Sequence, residues 1–135
     1  MPVWLVARGN KGGVIMRMYA YLKNPVPAND KFYIYKIMIH QMKNETLVYK
    51  YTSPDAVFCS YDAWYPDKDS AVSDWQELID DSGWIMLEDP LPDCQCDAFL
   101  PIRVKGRNVN KPQWGQFEIL EDGVWKEYKN KSTVL

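Results

Sequence analysis

Residues 31–42 read KFYIYKIMIHQM. The run is rich in β-branched and aromatic side chains and is apolar on both alternating faces. A strand at the surface of a sheet shows polar residues on every second position, and this one does not. The segment therefore predicts a central strand, covered on both sides. After a short KNE turn (residues 43–45), TLVYKYT (residues 46–52) has the pattern of a returning antiparallel partner, since consecutive strands usually pair.

Other strands follow from the same reading. VIMRMYAYL (residues 14–22) places Val14, Met16, Met18, Ala20 and Leu22 on one face and Ile15, Arg17, Tyr19 and Tyr21 on the other. VWLVAR (residues 3–8) precedes it, across the GNKGG turn (residues 9–13). NPVPAND (residues 24–30) reads as a loop because two prolines interrupt a hydrogen-bonded ladder. AVFCSY (56–61), WIMLE (84–88) and AFLPIRVKG (98–106) are short strand candidates. Pro101 argues for an edge or a bulge in the last of these. QFEILEDGVWKEY (116–128) is a hairpin around Asp122-Gly123, a pair suited to a type I′ turn. That turn sets Leu120 opposite Trp125, Phe117 opposite Tyr128 and Glu118 opposite Glu127.

Between Pro66 and Gly83 the period changes from two to 3.6. Ala71, Val72, Trp75, Leu78 and Ile79 share one helical face, with Asp69 or Ser70 as N-cap and Gly83 just past the end. The expected architecture is α+β: a mostly antiparallel sheet of about six to eight strands with one amphipathic helix packed on it. The chain of 135 residues, 47% hydrophobic, is expected to form a single domain over 1–135 with a frayed tail from about residue 129.

Charge is the second guide. Residues 1–54 hold eight Lys/Arg against two Asp/Glu, a net of +6. Residues 55–97 hold one Lys against twelve Asp/Glu, or −11. Residues 98–135 hold seven against four, or +3. The acidic middle is densest in WYPDKDSAVSDWQELIDDSGW (residues 64–84). Asp74, Glu77 and Asp81 align on one helical face, flanked by Asp80, with no Lys or Arg placed to pair with them along the helix. Asp80 and Asp81 would sit at the helix C-terminus, where the helix dipole disfavours negative charge. Local rules broken without compensation point to function. The expectation is an acidic binding surface of Asp62, Asp67, Asp74, Glu77, Asp80 and Asp81, with Trp64 and Tyr65 as aromatic anchors. It would steer a basic protein partner, in the manner of an immunity protein or a nucleic-acid mimic.

Two alternatives stand beside it. Arg17, Tyr19 and Tyr21 share a strand face with Tyr33, Tyr35, Tyr49 and Tyr51 on neighbouring strands, a composition suited to stacking single-stranded nucleic acid. The acidic loops could also build a small ligand-binding or hydrolase pocket. No motif marks catalytic residues, and the reading leans away from an enzyme. Cys59, Cys94, Cys96 and His40 number enough for a zinc site, but the C-x-C spacing is not that of a zinc knuckle. Neither a metal nor a cofactor is expected. No apolar run is long enough to cross a bilayer and no signal peptide is visible, so the cytoplasm is the expected compartment.

Overall fold

The computed structural model describes residues 14–129. The VWLVAR and GNKGG expectations, and the tail from residue 130, lie outside them. Eight strands follow in chain order: β1 (Val14–Pro27), β2 (Tyr33–Met42), β3 (Thr46–Tyr51), β4 (Tyr61–Tyr65), β5 (Ile85–Leu87), β6 (Ile102–Val104), β7 (Phe117–Glu121) and β8 (Val124–Tyr128). One helix, α1 (Lys68–Trp75), lies between β4 and β5, and a 3₁₀ turn spans Arg107–Val109.

The strands form two antiparallel sheets, one of five in the order β4-β3-β2-β1-β5 and one of three in the order β6-β7-β8. The α+β class holds; a single sheet of six to eight strands does not. The polar, proline-stiffened stretch from residue 88 to 101 has no side-chain period that would continue one ladder. The chain leaves the first sheet there and starts another.

β2 is the central strand, buried on both faces. On one face Met18, Ala20, Leu22, Ile37, Ile39 and Val48 pack beneath Ala71, Trp75 and Ile79. On the other, Met38, Met42, Leu47, Tyr49 and Tyr51 pack beneath Cys96, with Tyr19, Ala56, Cys59, Leu87 and Phe99 closing the layer. These are termed the helix face and the cover face. Each fully buried Ile or Val contributes about 1.5–3 kcal/mol of transfer free energy, so a strand buried on both sides anchors the fold.

β1 runs further than expected, through the proline pair. Its register jumps between Tyr21, opposite Lys36, and Val26, opposite Ile34, so five steps along β1 match two along β2. The extra residues bulge away, and the ladder resumes with Pro27 opposite Tyr33.

The helix is shorter than its apolar period and starts earlier. Asp67, not Asp69 or Ser70, is the N-cap: its carboxylate accepts the Ser70 N–H at 2.8 Å. The helix ends at Trp75. Beyond it the backbone is captured by β1: Lys23 N–H donates to the Leu78 carbonyl (2.9 Å), Leu22 bridges Ile79, and Asp80 N–H donates to the Tyr21 carbonyl (2.8 Å). Strand-type pairing with the bulged β1 outcompetes another helical turn. Ile79 stays in the core, but Leu78 is exposed.

The β7–β8 hairpin has the expected register, with Leu120 opposite Trp125 and Phe117 opposite Tyr128. Asp122 (φ 53°) and Gly123 (φ 79°) are both left-handed, as a type I′ turn requires. Glu118 does face Glu127, and Arg103 on β6 offsets the repulsion by holding Glu118 at 3.1 Å. β6 is an edge strand, which accommodates Pro101 at its start.

Candidate functional site

The acidic residues wrap around one edge of the five-stranded sheet. Among the described residues β4 is that edge and pairs only with β3. Asp62 lies opposite Tyr49 and Trp64 opposite Leu47, so both point to the cover-face side, where Asp62 is exposed and Trp64 is 61% exposed. Tyr61 and Tyr65 point the other way, into the helix-face core. Immediately after β4, Asp67 caps α1, and its hydrogen bonds with Ser70 hold its carboxyl below the ordinary range.

Asp74 is on the helix and accepts a hydrogen bond from the Tyr65 hydroxyl at 2.8 Å, while that hydroxyl accepts the Trp75 indole N–H at 3.3 Å. Burial, and then the bond to Asp74, raise the Tyr65 phenol above its usual range. Tyr65 is therefore half-buried and engaged within the protein, a poor free anchor compared with Trp64. Glu77, Asp80 and Asp81 do not continue a helical face with Asp74, because α1 has ended; they lie in the turn that follows. Asp80 Oδ1 accepts the Ser82 N–H at 2.9 Å, while Glu77 and Asp81 are exposed. Among the described residues none of Asp62, Asp67, Asp69, Asp74, Glu77, Asp80 or Asp81 has an ion-pair partner, whereas Arg103 pairs with Glu118 and Lys126 with Glu121.

While Tyr33 stays exposed, the part of the tyrosine face formed by Arg17, Tyr19, Tyr49 and Tyr51 is covered, and not by the helix. Residues 88–99 and 56–59 fold over it. Arg17 is 5% exposed, and its guanidinium holds the cover by three backbone carbonyls: Nη1–H donates to Cys96 (2.8 Å) and Ala98 (3.1 Å), and Nε–H to Glu88 (2.9 Å). Tyr19 packs edge-on against Phe99 of the cover, with ring centroids 4.9 Å apart, and against Tyr21 at 5.9 Å. Tyr49 and Tyr51 are buried, and the Tyr51 hydroxyl donates to the Asp97 carbonyl. No open stacking platform is formed by Arg17, Tyr19 and Tyr21.

A second cation does the same work as Arg17 and was not singled out from the sequence. Lys36 is 3% exposed, donates to the Ala56 carbonyl at 2.9 Å and sits 3.8 Å from the centroid of the Phe99 ring. Burial lowers its ammonium to about 8. Its position inside an apolar strand run was the available signal: a lysine between two faces that are both buried must find a partner indoors.

The sulfur and imidazole groups do not converge on a metal site: among the described residues no group of three His, Cys, Asp or Glu is placed to hold an ion. His40 Nδ1 lies 2.9 Å from the Tyr49 hydroxyl, and burial together with the nearby Arg17 charge pushes its imidazole down to about 4. It is neutral at physiological pH. All three cysteines are free thiols; burial raises Cys94 and Cys96 to about 11 and Cys59 further still, so none is a ready thiolate nucleophile. Among the described residues no helix is long and apolar enough to cross a membrane.

No protein-family model matches the chain, and neither the curated proteins nor the solved structures yield a significant similarity.

Proposed function

We propose that this protein is a binding module that docks a basic protein through the edge formed by β4, α1 and the turn after it. The observation that carries the reading is the set of exposed carboxylates around that edge, none of them ion-paired among the described residues. Surface carboxylates of a stable protein are commonly interleaved with Lys or Arg; here Lys68 is the only cation between residues 62 and 84. Their field raises the encounter rate with a cationic surface and orients it, more than it sets affinity. Trp64, exposed beside Asp62 on an edge strand, supplies the apolar anchor such an interface needs at its centre. Three free thiols suit a reducing compartment, and the cytoplasm is the setting proposed.

Nucleic acid as the ligand of the tyrosine face has no comparable support, since Arg17, Tyr19, Tyr49 and Tyr51 lie beneath the cover.

The test is capture from host lysate with the native protein and with Glu77→Lys/Asp81→Lys, two exposed positions that make no hydrogen bond within the described structure. A basic protein retained at low salt, released at high salt and lost with the double variant supports the reading. Undiminished capture by the double variant, at an unchanged melting temperature, refutes it.

A further inference from the structure

A cleft of about 630 Å³ opens where the cover of the five-stranded sheet meets the three-stranded sheet. Phe58, Phe117 and Tyr128 form its aromatic walls, with Phe58 5.2 Å from Phe117 and 6.1 Å from Tyr128 between ring centroids. Its polar lining is dominated by acceptors. Asp97, only 6% exposed, presents a carboxylate whose Oδ2 accepts the Cys59 N–H at 3.0 Å, and no ion pair neutralises it among the described residues. Gln95 contributes a buried amide oxygen that has no hydrogen-bond donor. Glu127 stands opposite Glu118 in the hairpin register, so its side chain leaves the strand on the face opposite to Phe117 and Tyr128 and supplies no group to the cleft. Lys129 is the one cation in the lining, and it is exposed.

A buried carboxylate without a counter-charge and a buried amide oxygen without a donor are costly, and a ligand that supplies positive charge and donors offsets that cost. Aromatic ring faces attract cations for the same electrostatic reason. The volume lies within the range of small-molecule sites. We infer that this cleft binds an arylalkylammonium ion: the ammonium donates to Asp97 and Gln95, and the aryl body stacks among Phe58, Phe117 and Tyr128. The site is separate from the acidic edge, and its occupancy does not depend on a protein partner.

The probe is 2-phenylethylammonium, with 2-phenylethanol as its uncharged isostere, each titrated into the full chain by calorimetry and by NMR shifts of Phe58, Phe117 and Tyr128. Saturable binding of the ammonium with shifts at those rings, at least about tenfold tighter than the alcohol, is expected. Asp97→Asn should weaken it by about tenfold or more. Gln95→Leu, which removes the unpartnered amide oxygen, should weaken it by a smaller factor and keeps the test valid if Asp97→Asn does not fold. Absence of saturable binding, equal affinity for the alcohol, or indifference to Gln95→Leu together with shifts elsewhere would overturn the inference.

Discussion

His40 on β2 stands directly opposite Arg17 on β1, and both side chains are buried on the cover side of the sheet. A guanidinium that cannot leave and an imidazole that cannot reach water form a pair in which only one member can carry charge. Arg17 is fixed by three carbonyls of the cover, and His40 stays neutral, first because it is buried and second because that charge lies beside it.

That neutrality should be visible as acid sensitivity. Burial first, and Arg17 second, lower His40 to about 4 in the folded protein, against about 6.5 in the unfolded chain. As pH falls below about 6.5 the unfolded chain gains a proton that the folded protein refuses. Its contribution to stability is whole above about 6.5 and is lost progressively toward pH 4, amounting to about 3 kcal/mol. Asp97 acts in the opposite sense, because burial raises its carboxyl, and exposed carboxylates add their own slopes. Comparison with His40→Gln isolates the imidazole: urea unfolding at pH 7.5, 5.5 and 4.2 should show a shallower decline in the variant. Parallel declines would mean that His40 does not titrate between the two states.

Arg17 is expected to be the strongest single support of the cover. Arg17→Met leaves three carbonyls without their donor and should cost about 3–5 kcal/mol, as does removal of one partner from other buried charge-assisted networks. Arg17→Lys, a point charge on a shorter fork, restores only part of that. Hydrogen exchange gives the sharper readout: amides of residues 94–99 should lose protection in both variants before those of β2. Retained protection of that segment in Arg17→Met would show that Phe99 and Lys36 suffice to hold it.

Much of the sheet could be read from side-chain period: the β2–β3 hairpin, the two-faced burial of β2 and the Asp122-Gly123 turn all follow from it. The cover could not. Residues 88–99 carry no period, and the groups that hold them lie far away in the chain; Arg17 reaches carbonyls 79 and 81 residues distant. The tyrosines of β1 and β3 therefore looked like surface. The length of the helix is not legible in the sequence for a related reason. Leu78 and Ile79 fit a helical stripe, but backbone pairing with the β1 bulge is a tertiary fact that local pattern does not contain. Asp74, Glu77 and Asp81 share one helical face by sequence period, but the helix ends at Trp75, so Glu77 and Asp81 lie in the turn that follows.

Gly106 should tolerate no side chain. It is left-handed (φ +82°), and a Cβ there would lie 2.2 Å from the Lys111 carbonyl oxygen. That turn is closed by the Gly106 carbonyl accepting the N–H groups of Val109 (3.2 Å) and Lys111 (2.9 Å). Gly106→Ala must both strain φ and open the turn, at a cost above about 2 kcal/mol. Gly123→Ala provides the control. It is equally left-handed (φ +79°) but meets nothing within 4 Å, so only the φ cost of about 1–2 kcal/mol remains. Thermal unfolding of the two variants should rank them in that order; the reverse order would place the strain of the 105–113 turn elsewhere.

Asp67 separates the two tasks a surface carboxylate can have. It caps α1 by accepting the Ser70 N–H, and it contributes to the acidic edge. Asn is nearly as good an N-cap as Asp, whereas Ala is not. Asp67→Asn should leave the melting temperature close to native, and Asp67→Ala should lower it by a few degrees. Both remove the charge, so both should reduce capture of a basic partner by a similar factor, with the larger effect at low salt, where screening is weakest. Capture that tracks the melting temperature, falling for Ala and not for Asn, would assign Asp67 to the helix alone and shift the docking surface toward Asp62 and Trp64.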